Sequence, residues 1–199
     1  MTILLTGFSP FPGVPVNPSQ AVVEAIAADP AYGHVITTVL PTAFAAAGDC
    51  VAALIKAHQP RAVMMLGVAA GRDAINLERF ALNINDASVP DTSGVQASGQ
   101  PIDPDGPAAY TSTLPLDRLF AALDAARIPA KFSNHAGAYV CNHVFYTARH
   151  TVEQARLPTR VGFVHIPMHS DDADQPGADK GLPLGVIVDA VKACLDALT

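Results

Sequence analysis

The sequence predicts an α/β protein: a mostly parallel mixed sheet with helices on both faces and an inserted hairpin. Three observations carry this. Short runs that are β-branched or continuously apolar are bounded by Gly or Pro; Ala-rich stretches with helical spacing separate them; and one central segment alternates with period two instead. At 199 residues, against ~150 for a typical domain, the chain is expected to form one domain over 1–199 with length to spare for long loops.

Ile3-Leu4-Leu5-Thr6, Val35 to Val39, Ala62 to Leu66 and Val161 to Ile166 read as strands buried on both faces, because apolar residues occupy successive and not alternate positions. Between and after them, Pro18 to Ala28, Ala43 to His58, Pro115 to Ala126, Tyr139 to Arg156 and Pro183 to Leu198 read as helices. The order is β-α-β-α-β, a hairpin-like region, then α-β-α-β-α. Ala74 to Ile84 alternates in places and suggests an antiparallel strand or hairpin added to the parallel sheet. Ser88 to Ala109 follows as a long loop stiffened by Pro90, Pro101, Pro104 and Pro107, which reads as a lid or interface loop.

Half of the residues are hydrophobic and 15% are charged, against roughly 25% in an average protein, which excludes wholesale disorder. The net charge of -6 argues against nucleic acid as a partner, because counterion release needs a basic surface. No apolar run approaches the ~20 residues of a membrane span, and the start, Met1 to Gly7, lacks a charged signal-peptide region. A soluble cytoplasmic protein with no membrane partner is the expectation.

The scarce residues narrow the chemistry. Three cysteines without a CxxC pair give neither a disulfide framework nor a thiolate zinc site, and nucleophilic chemistry at one of them requires no metal and no organic cofactor. Cys141 follows the Gly137 turn at the start of a helix, where unsatisfied backbone N–H groups and the positive dipole end favour a thiolate and can hold an oxyanion. The alternative is a small buried hydrophobe, the reading favoured for Cys50 and Cys194 within amphipathic helices.

A cysteine nucleophile needs a base. His165 ends an apolar strand just before Pro167, at the carboxyl edge where open α/β sheets bind ligands, although a satisfied core histidine is the competing reading. His143, two residues beyond Cys141, points roughly 200° away around the helix and is the poorer base. Of only three glutamates, Glu24 and Glu153 fall on exposed-looking helix faces. Glu78, flanked by apolar residues, is open to two readings: a carboxylate orienting the imidazole, or an ion pair with Arg72 or Arg79.

At these residues the chain resembles the pyroglutamyl peptidase I (pyrrolidone-carboxylate peptidase) family of cysteine peptidases over essentially its whole length. The resemblance is carried by Leu5 to Phe11 with Asn17-Pro18-Ser19, by Ala70-Gly71-Arg72 running on to Glu78-Arg79, and by Gln100 to Asp103. Ser133 to His143 and Gly162 to Pro167 complete it. It implies a three-layer α/β/α sandwich, a homodimer or homotetramer, and removal of an N-terminal pyroglutamyl group from peptides by Cys141, His165 and Glu78. It also implies a lactam pocket formed by Phe8 and Phe11, the polar contact Asn17, and Tyr139 and Val140 beside the nucleophile.

Three departures bear on the substrate. Where the family reads Gly-Gln-Ala-Gly-Gly-Arg, this chain has Gly67-Val68-Ala69-Ala70-Gly71-Arg72. Losing the Gln hydrogen bond to a buried lactam amide is worth about 1–3 kcal/mol, roughly tenfold or more in selectivity. Ser88 stands where the family tends to carry Arg, and Pro12 replaces a Gly in the turn beside Phe11. Two alternatives therefore stay open: an amidohydrolase of the same fold acting on another N-acyl or lactam substrate, and a non-catalytic small-molecule-binding protein using the strand-end crevice.

Overall fold

The structure, a computed structural model, describes residues 2–11, 16–171, 174 and 176–199; Pro12 lies outside them. The strands are β1 (Ile3–Phe8), β2 (Val35–Leu40), β3 (Ala62–Val68), β4 (Ile75–Leu82), β5 (Ala109–Thr111), β6 (Ala130–His135) and β7 (Arg160–Ile166). The α-helices are α1 (Pro18–Ala28), α2 (Phe44–His58), α3 (Leu116–Ala125), α4 (Val140–Gln154) and α5 (Leu184–Leu198). Each expected helix and each continuously apolar strand is present within two residues of its expected bounds.

The strands β2-β1-β3-β7 are mutually parallel. Burial on both faces holds for β1, β3 and β7, whereas β2, at the sheet edge with one strand neighbour, is only half-buried from Val35 to Val39 and departs from the expectation for it. Met64 and Leu66 of β3, with Val164 and Ile166 of β7, join the core under α1, α3 and α5. Val63 and Met65, with Val161 and Phe163, join the core under α2 and α4. The layers are therefore three, with the sheet in the middle. Each fully buried Leu, Ile or Val contributes about 1.5–3 kcal/mol, which is why polar interruptions of these strands stand out.

The period-two segment differs in detail from a hairpin. β4 runs antiparallel to β7 and to β5, and parallel to β6. Leu77 pairs with Val164 and Phe132, and Phe80 with Thr111 and His135, so β7 and β5 share one edge of β4 and β6 takes the other. β4 is thus interior to the sheet, and its antiparallel neighbour β5 returns only after residues 83–108. Interior placement explains why Glu78, in the middle of β4, is fully buried.

Residues 83–108 are tied down by side chains. The Asn83 amide donates to Asp103 O at 2.7 Å, and its carbonyl accepts from Ile102 N and Asp103 N. Asp91 Oδ2 accepts from Phe44 N at 2.8 Å, capping α2, whose own N-cap residue Ala43 has no side-chain acceptor. Thr92 N and Oγ1 both donate to Thr42 O, and the Tyr139 phenolic OH donates to Pro90 O at 3.2 Å. The loop is thereby fastened to Thr42 and Tyr139, which both line the site described next.

Candidate active site

Gly137, at φ +81°, takes the left-handed conformation that turns the chain from β6 into α4. Cys141 is the second residue of that helix. The first intrahelical bond runs from His143 N to Tyr139 O, and Tyr139 supplies no side-chain cap. The N–H groups of Val140, Cys141 and Asn142 consequently have no acceptor within the helix and are suited to an oxyanion. Asn142 pins this helix start to the end of β4: its Oδ1 accepts from Leu82 N at 2.8 Å, and its Nδ2 donates to Leu82 O and Ile84 O at 2.9 Å each.

Sheet register brings the other groups to the same place. Gly67 of β3 is opposite His165 of β7, and Asn76 and Glu78 of β4 are opposite His165 and Phe163. Directly paired residues share a face, and Phe163 belongs to the core under α2 and α4, so His165 and Glu78 project toward that layer. Cys141 comes down from it: a Cβ on Gly67 would lie 2.7 Å from the Cys141 sulfur, so the thiol occupies the space a side chain would need beside His165. His165 Nδ1 and Glu78 Oε1 are 2.7 Å apart. Arg72 Nη1 donates to the same Oε1 at 3.0 Å, so Glu78 serves both of the roles left open by the sequence.

Burial sets the protonation states. It pushes the Cys141 thiol up to about 12, with the Glu78 charge adding to the shift and the cysteine's own N–H opposing it. Burial likewise lowers His165, against the hydrogen bond and charge of Glu78, which raise it. The helix N-terminus favours the thiolate, as the sequence implies, but burial acts in the opposite direction. Desolvation of the sulfur thus works against the helix end, and burial disfavours the charged form of both the thiol and the imidazole. Burial also raises Glu78, but the His165 hydrogen bond and charge, with smaller contributions from Ser133 and Arg72, leave it below the ordinary glutamate value. Glu78 Oε2 has no hydrogen-bond partner, although Ser133 stands opposite Glu78 in register.

Beside the sulfur is a narrow cavity of about 50 Å³ lined by Phe8, Phe11, Asn17, Thr42, Val68, Tyr139, Val140 and Cys141. Every pocket residue expected from the sequence is on its wall. Asn17 is also the N-cap of α1: its Oδ1 accepts from Ser19 N and Oγ, and Nδ2 donates to Ser9 O. Its carbonyl is committed to that cap, which leaves amide N–H as its means of meeting a ligand.

With this geometry the comparisons agree. A family model described as pyroglutamyl peptidase matches residues 1–199. The chain belongs to the pyroglutamyl peptidase family. A pyrrolidone-carboxylate peptidase of Gloeobacter violaceus is 41% identical over 199 residues, covering 100% of this chain and 97% of the relative. One from Oceanobacillus iheyensis is 46% identical over 166 residues, 83% of each chain. The crystal structure of pyroglutamyl peptidase I from Bacillus amyloliquefaciens superposes with a TM-score of 0.89 at 35% identity, covering 99% of this chain and 96% of that one.

Within the family pattern the departures now have places. Val68 faces the cavity, whereas Ser88 is exposed and does not line it. Sequence reasoning missed Thr42, whose Oγ1 donates to Ser9 O at 2.8 Å. Its one signal is a polar residue just past the carboxyl end of a parallel strand. It also missed Gly67 and Asn142, which act through register and packing. His143, as expected, turns away: its Nδ1 meets Asn85 Oδ1 at 3.0 Å, and burial lowers it to about 4. Cys194 is buried in the α5 core and Cys50 is half-buried on α2.

Proposed function

We propose that this chain, as one catalytic domain over 1–199, is a cysteine peptidase that hydrolyses the amide bond following an N-terminal pyroglutamyl residue. The observation that carries the proposal is the Glu78–His165 hydrogen bond on the sheet face where the Cys141 sulfur sits over Gly67. In this reading His165 accepts the Cys141 proton as the sulfur attacks the pyroglutamyl carbonyl, and Glu78 stabilises the imidazolium so formed. N–H groups at the start of α4 hold the tetrahedral oxyanion. As the C–N bond breaks, the imidazolium gives its proton to the leaving amine. Water then attacks the thioester with His165 as base, releasing pyroglutamate and restoring the thiol. Every group required belongs to the chain or to solvent.

The substrate has no free α-amine, so the pocket requires no carboxylate to receive one. The walls formed by Phe8, Phe11, Val68 and Val140 suit the ring's methylene groups. No helix among the described residues is long and apolar enough to cross a membrane. Three free cysteines with no disulfide suit a reducing, cytoplasmic setting, and a homodimer or homotetramer is the assembly proposed.

Hydrolysis of a pyroglutamyl reporter tests the proposal, run beside a panel of other N-acyl amides with and without a thiol-alkylating agent. Cys141→Ala and Cys141→Ser are expected to abolish turnover and keep the fold; undiminished turnover in a folded variant refutes the nucleophile. Val68 on the cavity wall favours one second reading, an amidohydrolase of the same fold with another N-acyl or lactam substrate. Preferential cleavage of a different member of the panel identifies it.

A further inference from the structure

Glu78 Oε1 carries two donors, His165 Nδ1 at 2.7 Å and Arg72 Nη1 at 3.0 Å, while Oε2 carries none. The carboxylate is fully buried and the Arg72 side chain is 34% exposed, so the guanidinium spans from the sheet interior to solvent. It is held in a short turn, with Arg72 N donating to Ala69 O at 3.2 Å and Gly71 at φ +83°. Both donors thus meet on the one oxygen, which couples the guanidinium directly to the group that orients the imidazole. The competition for one oxygen is the feature that calls for an explanation.

We propose that Arg72 is a positioning residue for the reaction: it keeps Glu78 ionised and aimed at His165, and limits how firmly that carboxylate holds a proton on the imidazole. The proposal rests on the assignment of Cys141, His165 and Glu78 made above. His165 must take a proton from the thiol and then release it to the leaving amine. A buried carboxylate with the imidazole as sole partner stabilises imidazolium in the resting enzyme and removes the base before substrate arrives. A second cation on Oε1 draws off part of that attraction by sharing the lone pairs and by direct repulsion of imidazolium. The same cation keeps the carboxyl from protonating in its apolar surroundings. Both effects place the active, neutral-imidazole form at lower pH than it would otherwise occupy.

The other groups around the pair do not supply this charge. Cys141 on α4 can supply no positive charge in either protonation state, and Ser133 from β6 is uncharged. On β4 itself, Asn76 is neutral, donating to Ala74 O, and Arg79 lies over the Phe132 ring at 4.8 Å and donates to Asn134. Asp73 and Lys131 neutralise one another at the surface, 2.7 Å apart. Among the described residues Arg72 is the cation bonded to Glu78.

The test is the pH profile of kcat/KM, which reports the free enzyme, for wild type, Arg72→Gln and Arg72→Lys on a pyroglutamyl reporter. Removing the cation raises the pKa of Glu78 and of His165 alike, so the acid limb of Arg72→Gln moves to higher pH by about 0.5–1 unit, a partial shift because the guanidinium is part-exposed. Arg72→Lys retains the charge and returns most of the limb toward wild type. An Arg72→Gln limb that superimposes on wild type overturns the proposal, even if activity falls at every pH, because a purely structural role lowers the plateau without moving the limb. A Lys variant shifted as far as the Gln variant overturns it too. The His165 Cε1–H titration by NMR, in a Cys141→Ala background with and without Arg72→Gln, reads the coupling without turnover: the midpoint is expected to rise when the cation is removed, and an unmoved midpoint overturns the proposal. That measurement separates failure of Arg72's role from failure of the nucleophile assignment, which persisting turnover in Cys141→Ala alone exposes.

Discussion

Gly67→Ala probes the site through a single methyl group. The added Cβ meets the Cys141 sulfur at 2.7 Å and Phe163 Cζ at 2.7 Å, against 3.4–4 Å for ordinary contact, so the neighbours must yield by about 0.7 Å. Phe163 is fully buried and wedged among Phe8, Phe145 and His165, with ring centroids 6.4, 6.0 and 4.8 Å away, and has little room to move. Cys141, a half-buried residue at the helix start, is the softer neighbour. Displacing a nucleophile by such a distance spoils its alignment with base and carbonyl, and a misplacement of ~1 Å is worth on the order of 10²-fold. Overpacking adds about 1–3 kcal/mol of destabilisation. The assay is kcat/KM on a pyroglutamyl reporter, with thermal unfolding of the same samples. Gly162→Ala is the control: its Cβ meets Ser112 Oγ at 2.5 Å and Leu114 Cδ1 at 2.7 Å on the opposite face of β7, so it is expected to lower stability comparably and leave turnover per folded molecule near wild type. Full activity in folded Gly67→Ala refutes the placement of the thiol over Gly67.

Val68→Gln puts an amide on the cavity wall, and a gain of roughly tenfold in kcat/KM for the pyroglutamyl reporter is expected; no gain shows that loss of the glutamine is not what limits this site. Stability is expected to decline on acidification through His143. Its folded pKa, about 4, lies below its ordinary value of 6.5, so the unfolded chain binds the proton first. The contribution is complete above pH 6.5 and lost as pH falls toward 4, on the order of 3 kcal/mol in total. Unfolding free energies from denaturant melts across this window should fall more steeply with decreasing pH for wild type than for His143→Gln, which keeps a partner for Asn85; parallel pH dependences would remove His143 as the source.

Much of the architecture is local and therefore legible in the chain. Continuous apolar runs such as Ala62 to Leu66 read as strands because both of their faces are dry, and Gly137 before an Ala- and Val-containing periodic stretch marks the start of the Cys141 helix. His165 is legible for the same reason, as a polar residue at the end of an apolar strand and before a proline. The 83–108 stretch is not, since its order comes from Asn83, Asp91 and Tyr139 bonds that span the sequence.

The sequence by itself determined the elements, the small set of cysteines, glutamates and histidines from which the chemistry is chosen, and the kinship that ranks them. Only the tertiary structure decided which groups meet. Glu78 and His165 are 87 residues apart and come together because β4 runs antiparallel beside β7, a pairing set by register and not by either strand's composition. The same packing surrounds the Cys141 thiol and pushes its pKa up, against what its position at a helix start implied. It also directs Arg72 onto the oxygen that orients His165. Local propensity depends on neighbours a few residues away, whereas desolvation and charge depend on whatever the fold brings alongside.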